Sequence, residues 1–160
     1  GNFDVITHGC NCFCTMGAGI APQMAKTFFV KTNKKENKEY KGDINKLGTI
    51  DYNYITDKGN YLRISNSNDL YVDDVLVTVI NAYTQYGFGK NHSDGVDTPL
   101  DYEALTLCMR KINHTFKGKH VGLPQIGCGL AGGDWDLVKS IIEKELKDCD
   151  ITIVIYNPNI

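Results

Sequence analysis

The chain carries no excess of either charge. Its 17 Lys and Arg stand against 19 Asp and Glu, a formal net charge of -2 at pH 7. An extended nucleic acid or an acidic membrane surface therefore meets no global positive field. An anionic ligand has to be held by local devices instead. No apolar run approaches the ~18 residues of a bilayer span. The first residues lack the charged, apolar and small-residue order of a signal peptide. No internal repeat, low-complexity tract or linker divides the 160 residues, a length that fits one domain around one core. Six cysteines are present, but hydrophobic residues make up 42% of the chain. A secreted disulfide scaffold is shorter and less apolar. Reduced thiols in a cytoplasmic protein are expected.

The periodicities then define the elements. Val5 to Thr7 reads as the end of a buried strand. Ile20, Met24 and Phe28 recur at helical spacing, with Pro22 tolerable in the first turn. Thr49 to Ile55 alternates, with Ile50, Tyr52 and Tyr54 on one side, and Asp57 to Asn60 supplies a turn to a return strand over Tyr61 to Ile64. Val75 to Ala82 is apolar enough for a strand covered on both faces. Tyr86 to Pro99 reads as a long loop, and long loops are often functional. Helix, strand, helix and strand follow, over residues up to Phe116, Val121 to Ile126, Asp134 to Lys147 and Ile151 to Tyr156. This alternation argues for an α/β fold with a largely parallel sheet. Ligands in such folds sit at the carboxyl ends of the strands.

Two strand-to-helix junctions are rich in glycine. The first runs Thr7-His8-Gly9-Cys10-Asn11-Cys12-Phe13-Cys14-Thr15-Met16-Gly17-Ala18-Gly19-Ile20, the second Pro124-Gln125-Ile126-Gly127-Cys128-Gly129-Leu130-Ala131-Gly132-Gly133-Asp134-Trp135. Glycine lets a backbone approach a ligand closely and adopt positive φ. The N–H groups and dipole of a helix start favour phosphate oxygens. Two such loops make a diphosphate clamp without a basic patch, although each alone reads equally well as a tight turn. Neither has Rossmann or P-loop spacing.

With Asn11, Met16-Gly17-Ala18-Gly19-Ile20-Ala21 and Leu123-Pro124-Gln125-Ile126-Gly127-Cys128-Gly129-Leu130, the chain resembles the macrodomains over nearly its whole length. The motifs His8-Gly9-Cys10-Asn11 and Pro124-Gln125-Ile126 are most similar to the branch of yeast-type ADP-ribose 1''-phosphate phosphatases. The resemblance implies a three-layer α/β/α fold around a mixed, largely parallel sheet, as a single domain over residues 1–160. The family's first strand ends in Gly-Asp, and the resemblance sets Gly1-Asn2 at that pair, with the strand itself before residue 1.

The implied activity is conversion of ADP-ribose 1''-phosphate to ADP-ribose and phosphate, by a monomer using neither metal nor cofactor. His8 is the implied catalytic group, because imidazole exchanges protons near neutral pH; its plain alternative is a satisfied histidine under the loop. Asp134 could orient or deprotonate a water, and equally reads as a helix N-cap. Asp94, Asp97 and Asp101 are further carboxylates that the sequence does not rank. Asn11 would bond the distal ribose, or else the local backbone. Gly17, Ala18, Gly19, Ile20, Gly127, Cys128, Gly129 and Leu130 would line the diphosphate, with Asn2 and Asn157 near the adenine and Tyr156 either over it or in the core. An ADP-ribosyl hydrolase and a non-catalytic ADP-ribose reader are the competing functions. The hydrolase branch places an aspartate where Ala131 stands and a lysine where Thr84-Gln85-Tyr86 stands. His8, Cys10, Cys12 and Cys14 carry metal-binding atoms, but alternate residues of a strand face opposite sides, so no metal site is expected. A cysteine nucleophile is not expected either, since nothing in the sequence sets a thiol against an oriented histidine.

Overall fold

The structure, a computed structural model, describes residues 2–14, 21–28, 42–64, 74–87, 99–129 and 131–155. Among them lie six strands and three α-helices: β1 (Val5–Asn11), α1 (Ala21–Phe28), β2 (Ile50–Thr56), β3 (Gly59–Ile64), β4 (Val77–Gln85), α2 (Tyr102–Thr115), β5 (His120–Leu123), α3 (Trp135–Glu145) and β6 (Asp150–Ile153). A 3-10 turn, Ile44–Lys46, precedes β2. The strands form one sheet in the order β3-β2-β4-β1-β5-β6. β4, β1, β5 and β6 pair in parallel, and β2 runs antiparallel to both β3 and β4. This is the expected mixed, largely parallel sheet.

Helices cover both faces. Leu105, Cys108, Met109 and Ile112 of α2 and Val138 and Ile142 of α3 pack with Val5, Ile50, Tyr52, Ile80, Ala82, Val121 and Leu123 in the main core. Met24 of α1 meets Val79 on the other face, with Ile6 and Ile55 beside it. The helical spacing of apolar residues, with Asp101 and Asp134 as N-caps, explains α2 and α3. Strand β5 stops at Leu123 rather than Ile126, because Pro124 has no N–H to continue the ladder. Strand β4 runs on to Gln85, past the apolar run, because Tyr83 and Thr84 are also buried.

One face departs from the periodic reading. Residues Asp51 and Asn53 alternate with Ile50 and Tyr52, yet both are buried. They lie on the α1 side, where the register sets Asp51 beside Asn81 and Asn81 beside His8. That face carries a buried polar row instead of solvent.

Candidate functional site

Both glycine-rich junctions leave the carboxyl ends of neighbouring parallel strands. At the end of β1 the pairing with β4 shifts: Cys10 pairs with Tyr83 but Asn11 with Gln85. The shift turns the chain out of the sheet. The Asn11 side-chain oxygen accepts the Phe13 N–H at 3.0 Å, and its carbonyl accepts the Cys14 N–H at 3.1 Å. Cys12 donates its N–H to the Tyr86 carbonyl at 3.0 Å, and the Phe13 ring meets Tyr86 edge-on at 5.3 Å. The local bond anticipated for Asn11 is therefore present. Gly17, Ala18, Gly19 and Ile20 lie outside the described residues, as do Asp94, Asp97, Leu130, Tyr156 and Asn157.

The second junction is a compact coil. Ile126 donates to the Pro124 carbonyl at 2.7 Å, Cys128 to Gln125 at 3.2 Å and Gly133 to Gly127 at 2.8 Å. Gly127 sits at φ 73°, and a Cβ there would meet Leu100 Cδ1 at 2.7 Å. Only glycine fits without strain. A Cβ on Gly129, by contrast, would meet nothing within 4 Å among the described residues. No hydrogen bond among the described residues uses the N–H of Gly127 or Gly129. Two amides beside an open space and a helix start form the kind of concavity that receives an anion. The Cβ position of Gly9 lies 3.2 Å from Ile126 Cγ1, so β1 passes directly behind this loop.

Asp134 closes the loop. Its Oδ1 accepts the Asp136 N–H at 3.0 Å as the N-cap of α3, and its own N–H donates to the Tyr102 hydroxyl at 2.9 Å. The side chain is exposed. Burial, and then the Asp134 charge, push the Cys128 thiol up. Asp101 is likewise a cap, accepting the Ala104 N–H at 2.9 Å.

The expectation for His8 does not fit its placement. The side chain is 0% exposed. Its Nε2 lies 2.6 Å from Asn81 Oδ1. Burial pulls the imidazole pKa down to about 4, against a smaller upward pull from the Asn81 bond. His8 shares the α1-side face with Asn81, whereas Asp134 caps a helix on the opposite face. The structure gathers Gly127, Cys128, Gly129 and Asp134, with Asn11 at the adjoining strand end, and leaves His8 behind the sheet.

Asn2 also needs correction. It precedes β1, two residues before Asp4, which bonds His120 at the start of β5. That is the amino end of the sheet, roughly 25 Å of strand away from the glycine loops at ~3.3 Å per residue.

A thiol does stand against a histidine here, contrary to the sequence reading. Cys10 Sγ lies 3.9 Å from His8 Nδ1 and 4.0 Å from Nε2. Near-equal distances put the sulfur in line with neither nitrogen, and burial followed by the Asp51 charge raises the thiol well above its usual range. It is a buried thiol, not a nucleophile. All six cysteines are free, and no group of metal-binding side chains occurs among the described residues. None of the described helices is long and apolar enough to cross a membrane.

No family model matches the chain. An uncharacterized 17.5 kDa protein from the tk-vs intergenic region of Enterobacteria phage T4 is 30% identical over 159 residues, covering 96% of this chain and 86% of that one. A solved protein of unknown function from Bacteroides thetaiotaomicron superposes with a TM-score of 0.66 at 24% identity, over 98% of this chain and 89% of its own. The macrodomain of Mycobacterium tuberculosis DarG gives 0.57 at 18% identity, over 99% and 91%. Thermosipho africanus DarTG in complex with ADP-ribose gives 0.61 at 19% identity, over 98% of this chain and 38% of that one. The chain belongs to the family of the phage T4 protein, and its fold is that of the macrodomains.

Proposed function

We propose that this domain binds ADP-ribose across the two strand-to-helix junctions and releases the terminal phosphate of ADP-ribose 1''-phosphate. The second loop carries the reading. Gly127 is held in a conformation only glycine adopts freely, a Cβ on Gly129 meets no described atom within 4 Å, and no hydrogen bond among the described residues uses either N–H. The diphosphate would lie there, with Cys128 and Leu130 beside it and Gly17, Ala18, Gly19 and Ile20 opposite. Asn11 would reach the distal ribose, and Asn157 would approach the adenine.

The burial of His8 moves the chemistry to Asp134. Its exposed carboxylate stands at the rim of the second loop. It would take a proton from a water as that water attacks phosphorus. The bond between phosphorus and the 1'' oxygen then breaks, the phosphate carries away the water's oxygen, and the sugar oxygen leaves as a hydroxyl after taking a proton from solvent water, to which Asp134 later returns its own. Binding of the rest of the ligand would fix the reacting phosphate beside that carboxylate. The scheme routes no step through a metal.

The test is phosphate release from ADP-ribose 1''-phosphate, with and without a chelator, by wild type, Asp134→Asn and His8→Gln. Asparagine still caps a helix, so Asp134→Asn separates the base from the cap. Release by wild type and His8→Gln but not by Asp134→Asn is the expected result. Tight ADP-ribose binding with no release would reduce the function to binding.

A further inference from the structure

The α1-side face of the sheet holds a chain of polar side chains that no step of this reaction uses. Asp51 of β2 is 1% exposed, Asn81 and Tyr83 of β4 are 0% and 1%, and His8 of β1 is 0%. The Asn81 amide donates to Asp51 Oδ1 at 2.6 Å, and the Tyr83 hydroxyl donates to Asp51 Oδ2 at 2.6 Å. The Asn81 oxygen therefore faces His8, whose neutral ring holds its proton on Nε2 and donates it at 2.6 Å. Each bond points toward the one carboxylate, so each rotamer is fixed by the next.

Stability alone does not account for such a row. Replacing buried ionic or polar groups by apolar side chains of similar volume is often neutral or stabilising. The row also has a definite place. Asp51 is the second residue of β2, Tyr83 stands two from the end of β4, and Cys10 stands next to the end of β1. These positions surround the start of the first loop. That start is unusual in two ways. The β1–β4 register shifts just after Cys10, a feature that re-aims side chains. Cys14, a non-glycine residue, sits at φ 58°, a conformation that persists only where the surroundings over-determine it. Cys14, Cys10 and Tyr83 form their own buried cluster, with the Cys14 thiol 3.9 Å from the Tyr83 hydroxyl. The Tyr83 backbone is pinned as well: its N–H donates to Thr49 and its carbonyl accepts from Gly48.

We propose that Asp51, Asn81 and Tyr83 are positioning residues that set the backbone of Asn11–Cys14 for the ligand, with the Tyr83 hydroxyl as the link between the row and the loop. This rests on reading that loop as one wall of the ADP-ribose site. In it, His8 is the far end of the row, and its burial follows from that place.

The test uses Tyr83→Phe and Asp51→Asn, with Ile142→Val in α3 as a core control outside the row. Hydrogen exchange would be read at the Cys12, Phe13 and Cys14 amides, all of which are bonded in the structure. Affinity for ADP-ribose would be read by calorimetry. Both row variants are expected to speed exchange at those amides relative to α3, and to weaken ADP-ribose on the order of tenfold, as suits one bond to a charged group. Ile142→Val should leave both unchanged. Unaltered exchange at the three amides, a uniform rise across the protein, or faster exchange with full affinity would each overturn the positioning role. If wild type itself fails to bind ADP-ribose, the ligand reading fails, and the exchange pattern still decides whether the row holds the loop.

Discussion

The two glycines of the second loop are expected to fail in opposite ways. Gly127 sits at φ 73°, and a Cβ there would lie 2.7 and 2.8 Å from the two methyls of Leu100, itself 4% exposed. Left-handed backbone costs a non-glycine residue roughly 1–2 kcal/mol. Overpacking a buried neighbour adds about 1–3 kcal/mol, less whatever Leu100 recovers by shifting. Gly127→Ala should therefore lose about 2–4 kcal/mol, and melt roughly 5–15 °C lower at ~2–4 °C per kcal/mol for a chain of this size. The Cβ of Gly129→Val meets no described atom within 4 Å, and the position needs no positive φ. Its stability should stay within ~0.5 kcal/mol of wild type. Its side chain would fill the space proposed for the ligand, so ADP-ribose affinity should collapse. Thermal melts followed by circular dichroism, with calorimetry at 25 °C, read both quantities. A Gly127→Ala protein melting within ~1 °C of wild type would refute the packing argument. A Gly129→Val protein that binds ADP-ribose normally would refute the placement of the ligand.

Three further outcomes follow from the same structure. His8 should titrate near pH 4 by NMR rather than near 6.5. Its folded pKa is depressed, so its contribution to stability is complete above about pH 6.5 and is lost as pH falls through about 4; the span amounts to ~3 kcal/mol at 1.36 kcal/mol per pKa unit. His8→Gln should lose that part of the acid dependence in urea titrations, and an unchanged acid limb would contradict it. Asp101→Ala removes the cap of α2 and should cost ~1 kcal/mol with turnover intact, while Asp134→Ala costs a similar amount and loses turnover. A thiol reagent should modify Cys128 and Cys149 in the native protein and all six cysteines in denaturant, since Cys10, Cys12, Cys14 and Cys108 are buried and burial lifts Cys12 and Cys108 to about 12. Early modification of Cys10, Cys12 or Cys14 would contradict the burial of the β1 end.

The main elements were legible because their signals are local. Helical spacing and an aspartate cap announce α3, and a full apolar run announces β4. The second loop was legible for the same reason: its glycines fall between a strand and a capped helix. The polar row was not. Asp51 and Asn53 alternate with Ile50 and Tyr52, and only the pairing of β2 with β4 and β4 with β1 brings Asp51, Asn81 and His8 into line. Lateral register is a tertiary property. The placement of His8 was hidden for the same reason: the motif puts it near the loop, and strand parity turns it to the α1 side. Asn2 was misplaced because a short Gly-Asn pair was matched to a motif whose position depends on the strand before it. The structure sets it at the amino end of β1.

The most direct measurement is calorimetric titration of the wild-type chain with ADP-ribose beside Gly129→Val. Saturable one-to-one binding by wild type, lost in a variant that melts normally, is the expected result. No heat from wild type, or equal binding by both, would contradict an ADP-ribose site at the second loop.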